Sequence, residues 1–161
     1  MKVQWPSEFE IGHPVPGATL DELAQFQKLL FEPLSAEEIS KVNASQSNPF
    51  VKTSALYKAW QPFDASSWKI PAGDLPEEYL SFLRYSNGGE FGSGGRWFQF
   101  FPLDDSNMGV RAMLLAYHIP QYWPNAIPFA LDGNGWFYSL AMRSDPIIGS
   151  YPVYSSHARY Q

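Results

Sequence analysis

The sequence predicts an α+β fold, with a central, mainly antiparallel sheet, N-terminal helices and one helix inserted among the strands, all in a single domain. Three observations point there. The chain has 161 residues, the size of one hydrophobic core. Apolar residues recur at helical spacing through much of the first half. From Trp97 onward the pattern changes to short, bulky runs joined by hairpin-type turns, and this order suits α+β better than alternating βαβ units.

Taken in order, the opening to about residue 18 reads as an extended segment in which Pro6, Pro14 and Pro16 break regular elements. Thr19-Leu20-Asp21-Glu22 has capping-box spacing, and Leu20, Leu23, Phe26 and Leu30 continue it as a helix over about 20–31, stopped by Pro33. Ser35-Ala36-Glu37-Glu38 repeats the capping signal, and Ile39 and Val42 give a shorter second helix. Residues 50–60 are ambiguous in pattern: Ala55, Leu56, Ala59 and Trp60 are compatible with a helical stripe that Pro62 would stop.

Leu75-Pro76-Glu77-Glu78 opens the clearest helix. Proline suits the first helical position, where its missing N–H would be unpaired anyway, and the glutamates favour the positive end of the helix dipole. Tyr79, Phe82, Leu83 and Ser86 fall on one face, and Asn87-Gly88-Gly89 supplies residues able to close the helix with positive φ. Gly92-Ser93-Gly94-Gly95 reads as a flexible loop between strand-like segments, and Trp97-Phe98-Gln99-Phe100-Phe101-Pro102-Leu103 as a buried strand. Val110, Met113, Leu114 and Tyr117 have helical spacing, with Pro120 as terminator. Ile127–Leu131 and Trp136–Met142 flank Asp132-Gly133-Asn134-Gly135, a turn sequence that predicts a β-hairpin, and a last strand is expected near Tyr151–Tyr154.

Composition narrows the function classes. The absence of cysteine removes thiol nucleophiles, thiolate zinc sites and disulfides. A net charge of -5 argues against phosphate-backbone binding, so no nucleic-acid partner is expected, and it favours a basic partner. The first residues lack a signal-peptide run and no stretch reaches the ~20 apolar residues needed to cross a bilayer, so a cytoplasmic protein without a membrane partner is expected.

Catalytic motifs are not found. No Gly-Lys pair exists to build a P-loop, and Gly92-Ser93-Gly94-Gly95 lacks the third glycine of a dinucleotide fingerprint. Asp132-Gly133-Asn134-Gly135 begins like a calcium loop, but Trp136 and Arg143 stand where oxygen ligands are needed. His13, His118 and His157 have no metal-ligand spacing. Neither enzyme activity nor cofactor is expected. The 6 Trp, 9 Tyr and 12 Phe read mainly as core, with Trp97 and Trp136 singled out as candidates for an exposed groove that anchors a protein or stacks on sugar rings.

Two of these segments together carry a resemblance. Leu75-Pro76-Glu77-Glu78-Tyr79 through Phe82-Leu83 to Asn87-Gly88-Gly89-Glu90 resembles the signature of the SUKH superfamily, which includes the fungal Smi/Knr regulators of cell-wall synthesis and many bacterial proteins. Ile127-Pro128-Phe129-Ala130, Asp132-Gly133-Asn134-Gly135 and Phe137-Tyr138 resemble its hairpin, although Ala130 replaces a common glycine. Pro33-Leu34-Ser35 through Ile39 resembles its entry helix, whereas 43–74 is longer than the resemblance explains and reads beside it as a family-specific insertion. The structural signature is thus Leu75, Pro76, Tyr79, Phe82, Leu83, Asn87, Gly88, Gly89, Pro128, Phe129, Asp132, Gly133 and Gly135.

The resemblance implies an α+β domain and, in bacteria, an immunity protein that binds a cognate toxin, often a nuclease, in the cytoplasm. Glu90, Asp104 and Asp105 flank the expected sheet and join Trp97 and Trp136 as candidate partner-binding residues. A regulatory or scaffold module of the cell-wall-regulator type and a carbohydrate-binding module are the alternatives. Partner identity and oligomeric state are not encoded in any motif.

Overall fold

The computed structural model describes residues 2–103, 108–142 and 153–157. Its helices are α1 (Trp5–Glu8), α2 (Leu20–Leu30), α3 (Ala36–Ser45), α4 (Ala55–Ala59), α5 (Glu77–Tyr85), α6 (Val110–Ala116) and α7 (Ile119–Tyr122), with a 3₁₀ turn at Ala65–Ser67. Strands β1 (Ile11–His13), β2 (Gly89–Ser93), β3 (Arg96–Phe100), β4 (Ala126–Leu131), β5 (Trp136–Ala141) and β6 (Val153–His157) form one sheet in sequence order. Every adjacent pair is antiparallel. The fold is therefore α+β.

Local chemistry explains the helix starts. Thr19 and Ser35 each accept the N–H of the third helical residue, while Glu22 and Glu38 return a carboxylate to the cap's own N–H, so both capping boxes close. α5 begins one residue later than expected, with Pro76 as the cap. It buries Tyr79, Phe82 and Leu83. It does not end on a left-handed glycine. Ser86 is already extended, Gly88 and Gly89 take φ of +100°, and Gly89 starts β2, so the glycines turn the chain directly into the sheet.

The core is built around that helix. The Phe82 ring lies 4.3 Å from Phe100, 5.5 Å from Phe91 and 5.2 Å from Trp5. Leu23, Phe26 and Leu30 of α2, Val110, Met113 and Leu114 of α6, and Ile127, Phe137 and Leu140 of the β4–β5 hairpin complete one continuous cluster.

Several expectations are corrected. The opening segment contains a helix and a strand. Pro6 sits in the first turn of α1, where proline is tolerated, and β1 pairs with β2 as the sheet's edge. Trp5 and Phe9 pack on Phe82, and the Val15 N–H donates to the buried Ser86 Oγ. Residues 92–95 form no flexible loop: Gly92 and Ser93 belong to β2, and Gly94 and Gly95, with φ of +57° and +73°, make a tight hairpin turn to β3.

β3 is only half-buried, and the fully buried Phe101 lies just beyond it. Among the described residues two helices, not one, separate β3 from β4. Pro120 occupies the first turn of α7, and the break falls at His118, whose φ is +52°. β6 lies later than expected. Asp104, Asp105 and Tyr151 lie outside the described residues.

Candidate functional site

The β3–β4 ladder is short and consists of Gln99 opposite Leu131 and Phe100 opposite Ala130. Beyond these pairs the β2–β3 and β4–β5 hairpins diverge. A cleft of about 470 Å³ opens between their tips, lined by Arg96, Trp97, Asp132, Trp136, Tyr138 and Ser155, among others. Trp97 and Trp136, 38% and 41% exposed, thus border one concavity.

Register determines how each residue enters. Trp97 stands opposite Gly92, and its indole lies over that glycine, where a Cβ would come within 3.1 Å of the ring. Its ring centroid is 6.1 Å from that of His13. Glu90 pairs with both His13 and Gln99, so strand alternation places it on the same face as Trp97, outside the cleft. Trp136 and Tyr138, two residues apart on β5, share the other face with Phe98, whose ring lies 5.3 Å from Tyr138.

The backbone of β3 adds a polar element. The Phe101 N–H donates to the Phe129 carbonyl, so the odd-numbered residues of this segment direct their backbone groups toward β4. The ladder stops at Gln99, which leaves the Trp97 N–H and C=O facing the cleft without a β4 partner. One wall is held rigidly: Asp132 Oδ1 accepts the N–H groups of Asn134 (2.8 Å) and Trp136 (3.1 Å), while Gly133 and Gly135 supply positive φ. Asp132 therefore scaffolds the tip that presents Trp136.

The signature residues divide between core and turns. Leu75, Tyr79, Phe82 and Leu83 are buried, and Asn87 Oδ1 accepts the Leu103 N–H. Pro128 and Phe129 adjoin a β-bulge, which accommodates proline inside a central strand and turns Phe129 onto Tyr79 at 5.8 Å. The Tyr79 hydroxyl is deeply buried, and burial raises its pKa far above the ordinary phenol value.

A larger concavity of about 820 Å³ runs among α2, α3 and α6. It contains Arg111, which no motif singled out, and Glu38, which the sequence reading placed only in a capping box. Arg111 Nε and Nη2 bind the two Glu38 oxygens at 2.8 and 2.9 Å, and the guanidinium also reaches the carbonyls of Leu29, Leu30, Glu32 and Pro33. Hydrogen bonding from Arg111 chiefly holds the Glu38 carboxyl down at about 2, against the opposing effect of burial. These charges satisfy each other and the end of α2, so we assign them a structural role.

Arg96 and Tyr138 escaped the sequence reading. The i, i+2 spacing of Trp136 and Tyr138 on a half-exposed strand is the signal that identifies the latter. No curated protein matches the chain. The model of the SMI1 / KNR4 family (SUKH-1) matches residues 72–157, from just before α5 through β6 and more than half of the chain. The matched stretch contains both cleft-forming hairpins and the buried α5 face, and the chain belongs to the SMI1/KNR4 (SUKH-1) family.

Proposed function

We propose that this chain is an immunity protein that neutralises a cognate toxin by direct, non-catalytic binding in the cytoplasm. The observation that carries the reading is the composition of the hairpin-tip cleft: Trp97, Trp136, Tyr138 and Arg96 are the residue types that dominate binding energy at protein interfaces. They stand on a sheet anchored to the core, so little conformational entropy is lost on docking. The net charge of -5 suits a basic partner such as a nuclease, and Glu90 beside Trp97 supplies one local carboxylate.

The reading is tested by capturing the stoichiometric partner of the chain from the source organism's lysate, co-expressing the two and measuring growth. Rescue with a stoichiometric complex supports it. Failure to bind or rescue refutes it. Wild-type rescue with Asp104→Lys/Asp105→Lys would remove that acidic pair from the contact while leaving the function intact.

One observation favours a second reading. The cleft combines aromatic rings with Arg96, Asp132 and Asn134, a mixture that also suits a saccharide. Saturable quenching of Trp fluorescence by one member of an oligosaccharide panel, lost in Trp136→Ala, supports that alternative, whereas a spectrum indifferent to the panel removes it.

A further inference from the structure

We infer that residues 46–63 form a membrane-docking hook that attaches reversibly to anionic lipid. This segment precedes the family-matched residues, shares no residue with the hairpin-tip cleft, and contributes nothing to the buried core. It is nevertheless ordered by side chains. Gln46 clamps both backbone directions of Phe63, donating from Nε2 to its carbonyl at 2.7 Å and accepting its N–H at 2.9 Å. Two residues further in, Asn48 donates to the Tyr57 carbonyl and accepts the Phe50 N–H. The stem is thus closed by side-chain amides, and residues 49–53 within it are presented to solvent.

What the stem presents is apolar and cationic. Phe50, Val51 and Leu56 are 38%, 70% and 57% exposed, and residues 49–53 are exposed without interruption. Lys52 and Lys58 lie among them, and no Asp or Glu occurs from Ile39 to Phe63 in a chain of net charge -5. Among the described residues neither lysine lies within ion-pair distance of a carboxylate. Tyr57 and Trp60 are half-buried at the base, the side-chain types that settle at the headgroup level of a bilayer. A charge-complementary occupant is anionic.

The tip chemistry favours lipid over an acidic protein. Protein hot spots concentrate Trp, Tyr and Arg in pockets and under-represent Leu and Val, whereas a fluid interface accepts protruding Phe, Val and Leu beside lysine without shape complementarity. The expectation of no membrane partner rested on the lack of a signal-peptide run and of a spanning segment, and peripheral attachment through the hook needs neither. With two lysines and three apolar tips the attachment is peripheral and salt-sensitive. Each lysine contributes about fivefold to partitioning on a phosphatidylserine-rich surface.

Sedimentation of the full chain with extruded vesicles tests the inference, comparing pure phosphatidylcholine with phosphatidylcholine:phosphatidylserine 60:40 at 50 mM and 500 mM salt. The expected result is binding to the anionic vesicles only, weakened by high salt, reduced about 25-fold in Lys52→Gln/Lys58→Gln and lost in Val51→Glu/Leu56→Glu. All four positions are exposed, so unchanged thermal midpoints are expected and serve as the folding control. Absence of vesicle binding overturns the inference and leaves an acidic protein as the hook's occupant. Binding that ignores phosphatidylserine, or survives both double substitutions, overturns it equally.

Discussion

Replacing Arg111 with methionine keeps most of the side-chain stem and deletes the guanidinium, which makes six hydrogen bonds to Glu38, Leu29, Leu30, Glu32 and Pro33. Nη1 alone serves three carbonyls with two hydrogens, so these bonds share one group and are not additive. A hydrogen bond to a charged group is worth about 1.5–3 kcal/mol net. The two side chains are 20% and 27% exposed, however, so water partly screens the pair and can rehydrate the α2 carbonyls.

We therefore expect a loss of about 2–4 kcal/mol in urea unfolding, with a fall in Tm of roughly 4–16 °C for a domain of this size. Glu38→Gln should cost less, because glutamine still closes the capping box with Ser35. The double variant should cost less than the sum of the two single variants. The pH dependence has a defined sign. The folded Glu38 carboxyl titrates at about 2, below its ordinary 4.5, so its contribution is complete above pH 4.5 and is lost as pH falls toward 2. Arg111→Met should flatten stability across that window. A loss under 0.5 kcal/mol with an unchanged acid profile would refute the assigned role of this contact.

Other consequences follow from packing and turns. Phe82→Ala removes a ring packed against Trp5, Phe91 and Phe100 and should cost about 3–5 kcal/mol by chemical denaturation; near-neutral stability would contradict the α5 core face. Asp132→Ala should cost about 1 kcal/mol and speed amide exchange at Asn134 and Trp136, the two donors it loses, while exchange in α5 stays unchanged. Gly95→Val should destabilise the β2–β3 hairpin by about 1–2 kcal/mol, because its φ of +73° suits no β-branched residue, and unchanged stability would show that the turn relaxes.

What was legible in the sequence was local. Capping boxes at Thr19 and Ser35, the α5 apolar stripe and the Asp132–Gly135 turn each place their chemistry within a few residues. β2 was not delimited because Gly89-Glu90-Phe91-Gly92-Ser93 has poor intrinsic strand propensity and exists through pairing on both sides. β1 has only three residues and depends on β2, while Pro120 reads as a stop although it starts α7. The cleft was half legible. Trp97 and Trp136 could be selected by residue type, but the cleft itself arises where the β3–β4 ladder stops, a nonlocal fact that no window around Arg96 or Tyr138 contains. Arg111 and Glu38 meet across 73 positions of sequence, beyond any motif.

The central claim is that this domain acts by binding a protein through its hairpin-tip cleft. Calorimetric titration of the purified toxin domain against wild type, Trp136→Ala and Tyr138→Ala tests it most directly, with the hook variant Lys52→Gln/Lys58→Gln as a control remote from the cleft. A stoichiometric complex weakened at least about 30-fold by each cleft substitution and unchanged in the control is the predicted result. Affinities within twofold of wild type for both cleft variants, with their folds intact, would contradict it.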